Sequence, residues 1–297
     1  MDNIKLGSLA ILQDYHKNSQ RLNETLDRLS TGQRAPTPKS DPVLWSQVQQ
    51  LKQFATSLSG YSDNLNRGAA SVRVALDSME VSRQHLLQLE QKLNAAFAAP
   101  PGSEERAYNL QAYNELHRYV EDAAKAPDAG ARRLLDNPST YPDAGTVRIR
   151  AGENGFSLTL KSQEIHTGAS GLDIPRAGDA RPSDLEADPM AAPVIADAAN
   201  ATDAEIKMML GFLEEAKLDL TGKTKALAVD AKAIEDAQGF NEALVLRNKS
   251  QADAINVPDL NAEAVLAQSL SSRSSLALSG LTGLKETHRL ALRLLQQ

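Results

Sequence analysis

The sequence predicts a mainly α protein: a long antiparallel helical rod or coiled coil with one small β-hairpin, its N- and C-terminal helices paired. Three observations carry this. Stepping alternately by four and three residues from Leu44 visits Val48, Leu51, Ala55, Leu58, Ser62, Leu65, Ala69, Val72, Leu76, Met79, Arg83, Leu86, Glu90, Leu93 and Phe97, and only Ser62, Arg83 and Glu90 break the apolar run. Such a seam needs other helices along its length, and at ~1.5 Å per residue it makes a helix roughly 80 Å long. The apolar period changes to two only between residues 147 and 160. On either side of that centre the helical patterns mirror one another, with a proline break between each long helix and its terminal neighbour.

The first helix runs from about Ile4 to Leu29 and stops at Ser30-Thr31-Gly32, where Gly32 suits the left-handed position after a helix. Pro36 and Pro38 then forbid helix. Asp41 before Pro42 reads as an N-cap with proline at the first helical position, and the long seam follows to Ala99-Pro100-Pro101-Gly102. Ser103 starts another helix, whose buried face is expected at Tyr113, Leu116, Val120 and Ala123 and which fades at Pro127 to Gly130. Val147 and Ile149 alternate with arginines, and Phe156, Leu158 and Leu160 alternate with polar residues across Gly152-Glu153-Asn154-Gly155, a hairpin with one apolar face. Residues 172–201, rich in Pro, Ala, Asp and Gly, read as an exposed, loosely ordered loop. Helix returns near Thr202 with Ile206, Leu210, Leu213, Leu220, Leu227, Ala231 and Ile234, weakening through Phe240 and Leu244 to Ile255. After Pro258, Asp259 caps a last helix carrying Leu260, Ala264, Ala267, Leu278, Leu281, Leu292 and Leu295.

Composition narrows the function classes. The chain has 297 residues, enough for two or three structural units. Hydrophobic residues make up 41% but aromatics only 4%, which suits helices packed through Leu, Ala and Val rather than a pocketed enzyme core. A net charge of -6 opposes broad attraction to nucleic acid or an anionic membrane. Without cysteine there are no disulfides, thiol nucleophiles or Cys-based metal sites. No segment approaches the ~18 consecutive apolar residues of a membrane span, so membrane insertion is not expected. Met1 to Leu12 makes a poor signal peptide, so any export is expected to need no cleaved leader.

The terminal helices are the informative part. A pair of amphipathic helices buries little area by itself, and polar residues occupy seam positions at His16, Ser19, Ser271, Ser274, Lys285 and His288. The ends are therefore expected to order on assembly, and a partner copy related by rotation plus translation gives an open helical filament.

In this order the residues resemble the bacterial flagellin family. Arg28-Leu29-Ser30-Thr31-Gly32-Gln33-Arg34 is similar to the family's RLSSGLRI run, and Pro38-Lys39-Ser40-Asp41-Pro42 sits where its members have SAKDD. Thr146 to Asp173 resembles the family's hairpin with its closing LGLD; Phe240 and Asp259-Leu260-Asn261-Ala262-Glu263 follow its spacing; Ala291 to Leu295 is similar to its VLSLL or VLRLF ending. The likeness covers almost the whole chain.

The resemblance implies a structural, non-enzymatic subunit of a flagellar filament for motility, secreted through the type III channel to the cell exterior. It implies an inner filament shell made by 1–35 and 257–297, a surrounding shell made by 36–171 and 202–256, and an exposed loop at 172–201, where larger members insert outer domains. The polymerising residues are then Leu9, Leu12, Leu22, Leu26, Leu29, Leu260, Leu278, Leu281, Leu292 and Leu295, and the rod seam is Leu51, Leu58, Leu65, Val72, Leu76 and Leu86. The implied partners are further copies of the chain, an export chaperone, and hook-associated and cap proteins. Pro42 and Trp45 are similar to the start of hook–filament junction proteins, the alternative reading, beside a flagellin-like coiled-coil surface binding protein. Leu87 stands where immune-recognised members carry an arginine, which argues against that recognition.

Nothing in the sequence assembles a catalytic or cofactor site. His16, His85, His117, His166 and His288 include no i,i+4 pair. Asp41 is better explained as a cap than as an acid, and Glu104 and Glu105 as first-turn charges complementing a helix dipole. Gly152 and Gly155 lead into no helix that could cradle phosphate. Trp45, the one tryptophan, reads as a packing anchor.

Overall fold

The computed structural model describes residues 2–177 and 200–294, with helix backbone alone given for 2–8, 288 and 290–294. Its elements are α1 (Asp2–Thr31), α2 (Pro42–Ala98), α3 (Glu104–Ala124), α4 (Ala129–Leu135), β1 (Val147–Arg150), β2 (Ser157–Leu160), α5 (Asp203–Asn256) and α6 (Leu260–Leu294). The chain forms a terminal unit, residues 1–56 with 244–297, and a central unit, residues 57–243.

Local chemistry sets the helix boundaries. The Asp41 carboxylate accepts from the Leu44 N–H at 2.9 Å, with Pro42 in the first position of α2 where a missing N–H costs nothing. The Ser103 hydroxyl accepts from Arg106 N–H at 3.2 Å, and Asp128 from Ala131 N–H at 2.8 Å, opening α3 and α4. Thr202 and Glu205 form a reciprocal capping box at the start of α5, with Thr202 N–H to Glu205 Oε2 at 2.7 Å and Glu205 N–H to Thr202 Oγ1 at 3.3 Å. Asp259 Oδ1 accepts from Asn261 and Ala262 N–H at the start of α6. Gly32 ends α1 at φ 63°, a conformation costly for any residue with a Cβ.

In the central unit α2 and α5 run antiparallel, tied by Glu90 to Lys217 at 3.1 Å, Met79 Sδ to Thr224 Oγ1 at 3.5 Å and Asn66 to Gln238 at 2.7 Å. The buried line on α2 departs from the four-three walk. From Val72 onward it comprises Ala75, Met79, Ser82, Leu86, Leu89, Leu93 and Ala96. Leu76 and Phe97 are half-buried flanks, and Arg83 is exposed in a pair with Glu80. Val72, Met79, Leu86 and Leu93 keep the seven-residue repeat, but the buried residue between each pair comes three positions after the first rather than four, because the elements packed on α2 cover that side. Arg83 and Glu90 are thus flanking positions rather than faults in the core.

The hairpin is antiparallel, with Val147 opposite Leu160 and Ile149 opposite Leu158. It lies close on α2: a Cβ at Gly68 would fall 2.1 Å from Ile149 Cδ1, so only glycine admits this approach. Phe156, expected on the apolar face, instead precedes β2 and is exposed, because the bulged turn through Asn154 (φ 54°) and Gly155 (φ 80°) uses its backbone to bond Ala151 and Glu153. The helix α4 was not legible, since seven residues between two turns show no periodicity.

Residues 172–177 also differ from expectation. Leu172, Ile174 and Ala177 are buried. Tyr113 OH donates to Pro175 O at 2.8 Å, Asn114 accepts from Ala177 N–H at 2.9 Å, and His117 bonds Ile174 O at 2.8 Å. This accounts for the buried face of α3, which runs Arg106, Asn109, Leu110, Tyr113, His117, Val120 and Ala124, with Leu116 and Ala123 only half-buried. Residues 178–199 of the expected loop lie outside the described residues.

Candidate assembly surface

In the terminal unit α1 and α6 are antiparallel partners, marked at one end by Arg28 and Glu263 at 3.0 Å and towards the other by Ile11 beside Gly280. Four-three spacing holds here. The least exposed line of α1 is Ile11, Tyr15, Asn18, Leu22, Thr25 and Leu29; that of α6 is Glu263, Ala267, Leu270, Ser274, Ala277, Leu281 and Leu284. Only Thr25 and Leu270 are fully buried. Asn256, the last residue of α5, closes the link after α1: its backbone oxygen accepts from Arg34 N–H at 2.5 Å and its side chain from Ala35 N–H at 2.9 Å.

This seam sorts the leucines singled out above. Leu22, Leu29 and Leu281 belong to it and are partly buried. Leu9, Leu12, Leu26, Leu260 and Leu278 lie off it and are 42–55% exposed. The side chain of Leu292, that of His288, and Leu295 altogether lie outside the described residues. Three further apolar positions of α6 were missed: Val265 and Leu276 are 69% and 71% exposed, and Leu266 43%, all off the seam. Reading that helix for a single stripe hides them, because its apolar residues occupy more than one face. A helix apolar on several faces calls for more than one helical neighbour.

Of the rod-seam residues, Leu58, Leu65, Val72 and Leu86 are fully buried, whereas Leu51 and Leu76 are half-buried. The central unit has a second anchor that the sequence did not announce, Arg106. Its side chain is 1% exposed and donates to the carbonyls of Ala99 and Ala201 and to the Asp203 carboxylate at 2.7 Å. One guanidinium thus ties the end of α2 and the starts of α3 and α5, with its charge fully hydrogen-bonded as burial requires.

Three of the histidines, His117, His166 and His85, make packing or loop contacts. His117 Nε2 donates to Ile174 O, and Nδ1 faces Arg176 Nε at 3.4 Å, the neutral arrangement. Burial lowers its pKa to about 4. His166 is buried with Ser170 and Glu164 both 3.1 Å from the same nitrogen, Nε2, while Nδ1 accepts from Gly168 N–H. A Ser–His–carboxylate relay needs its two partners on opposite ring nitrogens, so this group staples a loop. His85 stacks on Tyr119 at 5.6 Å. Asp41 caps α2, Trp45 is half-buried, and Glu104 and Glu105 occupy the first turn of α3. Among the described residues no three His, Asp or Glu gather as a metal would require, and no helix is long and apolar enough to cross a membrane.

A pH prediction follows from His117. Unfolding releases it to an ordinary value near ~6.5, so below that pH the unfolded chain binds the extra proton. Stability of the central unit is expected to fall as pH drops from ~6.5 towards ~4, by about 3 kcal/mol in total. Urea midpoints across that window test it: His117→Gln should be less stable at pH 7.5 but show a flatter slope between pH 6.5 and 5.

The profile of the bacterial flagellin N-terminal helical region matches residues 3–119, which span α1, α2 and most of α3. Flagellin FljO of Caulobacter vibrioides is 21% identical over 94% of this chain and 93% of its own length. Flagellin FljM of the same organism is 20% identical over the same shares. Flagellin C of Rhizobium meliloti is 23% identical over 98% of both chains. Over that N-terminal helical region, and more distantly along almost its whole length, the chain is similar to bacterial flagellins. The matched segment takes in Leu9 to Leu29 of the terminal pair and the buried line of α2, while the full-length relatives extend the likeness through α5 and α6.

Proposed function

We propose that this chain is the structural subunit of a bacterial flagellar filament, and that the exposed apolar residues of α1 and α6 form its polymerising surface. One observation carries the second part. The terminal pair already satisfies one seam within the chain, yet holds Leu9, Leu12, Leu26, Leu260 and Leu278 in solvent, with Val265 and Leu276 beyond them. At ~25 cal/mol per Å² of apolar area, such side chains favour burial against neighbouring copies. Repeated by a rotation plus a translation, that contact does not close, and a helical filament results. Residues 1–35 and 257–297 then make the inner shell, and the central unit lies outside it. The filament lies outside the cell, reached by type III export with a chaperone guarding the C-terminal helix, and hook-associated and cap proteins complete its two ends.

Negative-stain microscopy of the purified full chain should show filaments. Deleting residues 1–30 or 259–297 should abolish them and leave a soluble helical protein by circular dichroism. A truncated chain that still polymerises, or a full chain that stops at a discrete dimer, overturns the proposal; the dimer points to a coiled-coil binding module.

A further inference from the structure

The central unit carries a groove of about 380 Å³ between α2, α4 and β1, rimmed by Arg67, Arg148 and Arg150. The alternation of β1 sets two of these arginines on the strand face opposite Val147 and Ile149, which are turned to the core. All three are exposed. Arg150 lies over the Tyr61 ring at 5.3 Å, and neither Arg67 nor Arg148 has a carboxylate within 4.0 Å among the described residues. The nearby Asp128 is committed to Ser71 and to the first turn of α4. This is a concentrated positive patch on a chain whose net charge is -6.

The opposite charge collects far along the same unit. Glu104 and Glu105 stand exposed in the first turn of α3 and Asp203 in the first turn of α5, where Glu205 is half-buried, and the Arg106 clasp ties the two helix starts together. The clasp pairs Asp203 and the capping box engages Glu205, so Glu104 and Glu105 are the carboxylates the tip presents. Some thirty residues of α2 separate Gly68 at the groove from the clasp, about 45 Å at 1.5 Å per residue, so groove and acidic tip cannot meet within one chain.

We infer that the arginine-rimmed groove receives the acidic tip of the central unit of a second copy, with Glu104 and Glu105 facing Arg67 and Arg148. The contact is head-to-tail and therefore open-ended, like the filament on whose existence it rests. It sets the axial register of neighbouring subunits, a task suited to charge because mispaired ends repel.

Full-length variants test this in a seeded sedimentation assay that reads the critical concentration. Arg67→Glu with Arg148→Glu makes groove and tip both acidic; Glu104→Lys with Glu105→Lys makes both basic. Each variant alone is expected to raise the critical concentration by at least about tenfold, equivalent to about 1.4 kcal/mol. An equimolar mixture of the two should recover assembly by alternation, as should the chain carrying all four substitutions. The milder pair Arg67→Gln with Arg148→Gln should fall between and lose the salt dependence of the unsubstituted chain. If either reversed variant assembles like the unsubstituted chain, or if the mixture fails while both variants keep unaltered circular dichroism and melting, the charge contact is overturned though the filament stands. If the unsubstituted chain forms no filament, the functional proposal itself fails.

Discussion

Leu65→Glu is expected to abolish the cooperative melting of the central unit. Leu65 is fully buried on α2 within the cluster that α5, α3 and the hairpin share. Removing a core leucine alone costs about 2–5 kcal/mol. The glutamate adds a charge at a fully buried position, whereas the cations of the neighbouring groove, Arg67, Arg148 and Arg150, have their side chains in solvent. An uncompensated buried charge costs several kcal/mol more, or is neutralised at a comparable cost. Together these approach the ~5–15 kcal/mol by which a typical domain is stable. Thermal circular dichroism is the measurement: the variant should show reduced helicity and a broad, shallow transition. A sharp transition within a few degrees of the unsubstituted chain would mean that α2 does not face the interior as described.

Leu278→Glu should do the opposite, leaving the monomer intact and blocking the polymer. Leu278 lies off the α1–α6 seam and is 47% exposed, so the isolated chain loses little by the exchange. In an assembly that buries it, the substitution forfeits about 1.5–3 kcal/mol of leucine burial and places a carboxylate in an apolar contact. At about 1.4 kcal/mol per tenfold, the critical concentration should rise by at least about a hundredfold. Far-ultraviolet circular dichroism beside a pelleting assay separates the two effects. If Leu278→Glu melts the monomer and Leu65→Glu spares it, the roles of the two units are inverted.

The fold was legible wherever chemistry is local. Caps at Asp41, Ser103 and Asp259 and the glycine after Thr31 are written in adjacent residues, and the helices begin or end there. The hairpin could be read from alternating Val147, Ile149, Leu158 and Leu160. What escaped was tertiary. Ala75 and Ser82 are fully buried while Leu76 and Arg83 are not, because three elements packed around α2 decide which line faces inward. The burial of Leu172 and Ile174 depends on hydrogen bonds from Tyr113 and His117, some sixty residues away. Arg106 resembled one more surface cation until Ala99, Ala201 and Asp203 were brought around it. In the candidate surface, partly buried Leu22, Leu29 and Leu281 could not be separated from exposed Leu26 and Leu278 by spacing alone. That division depends on how α6 is rotated against α1.

Both roots of the 178–199 segment are gripped by one helix. Asn114 holds Ala177 through two hydrogen bonds, and Arg106, two turns earlier on α3, holds the Ala201 carbonyl. The two ends of that span are thereby set by α3 itself. Cargo of very different length, from a short tether to a whole folded module, can be hung at this port without re-engineering the scaffold that bears it.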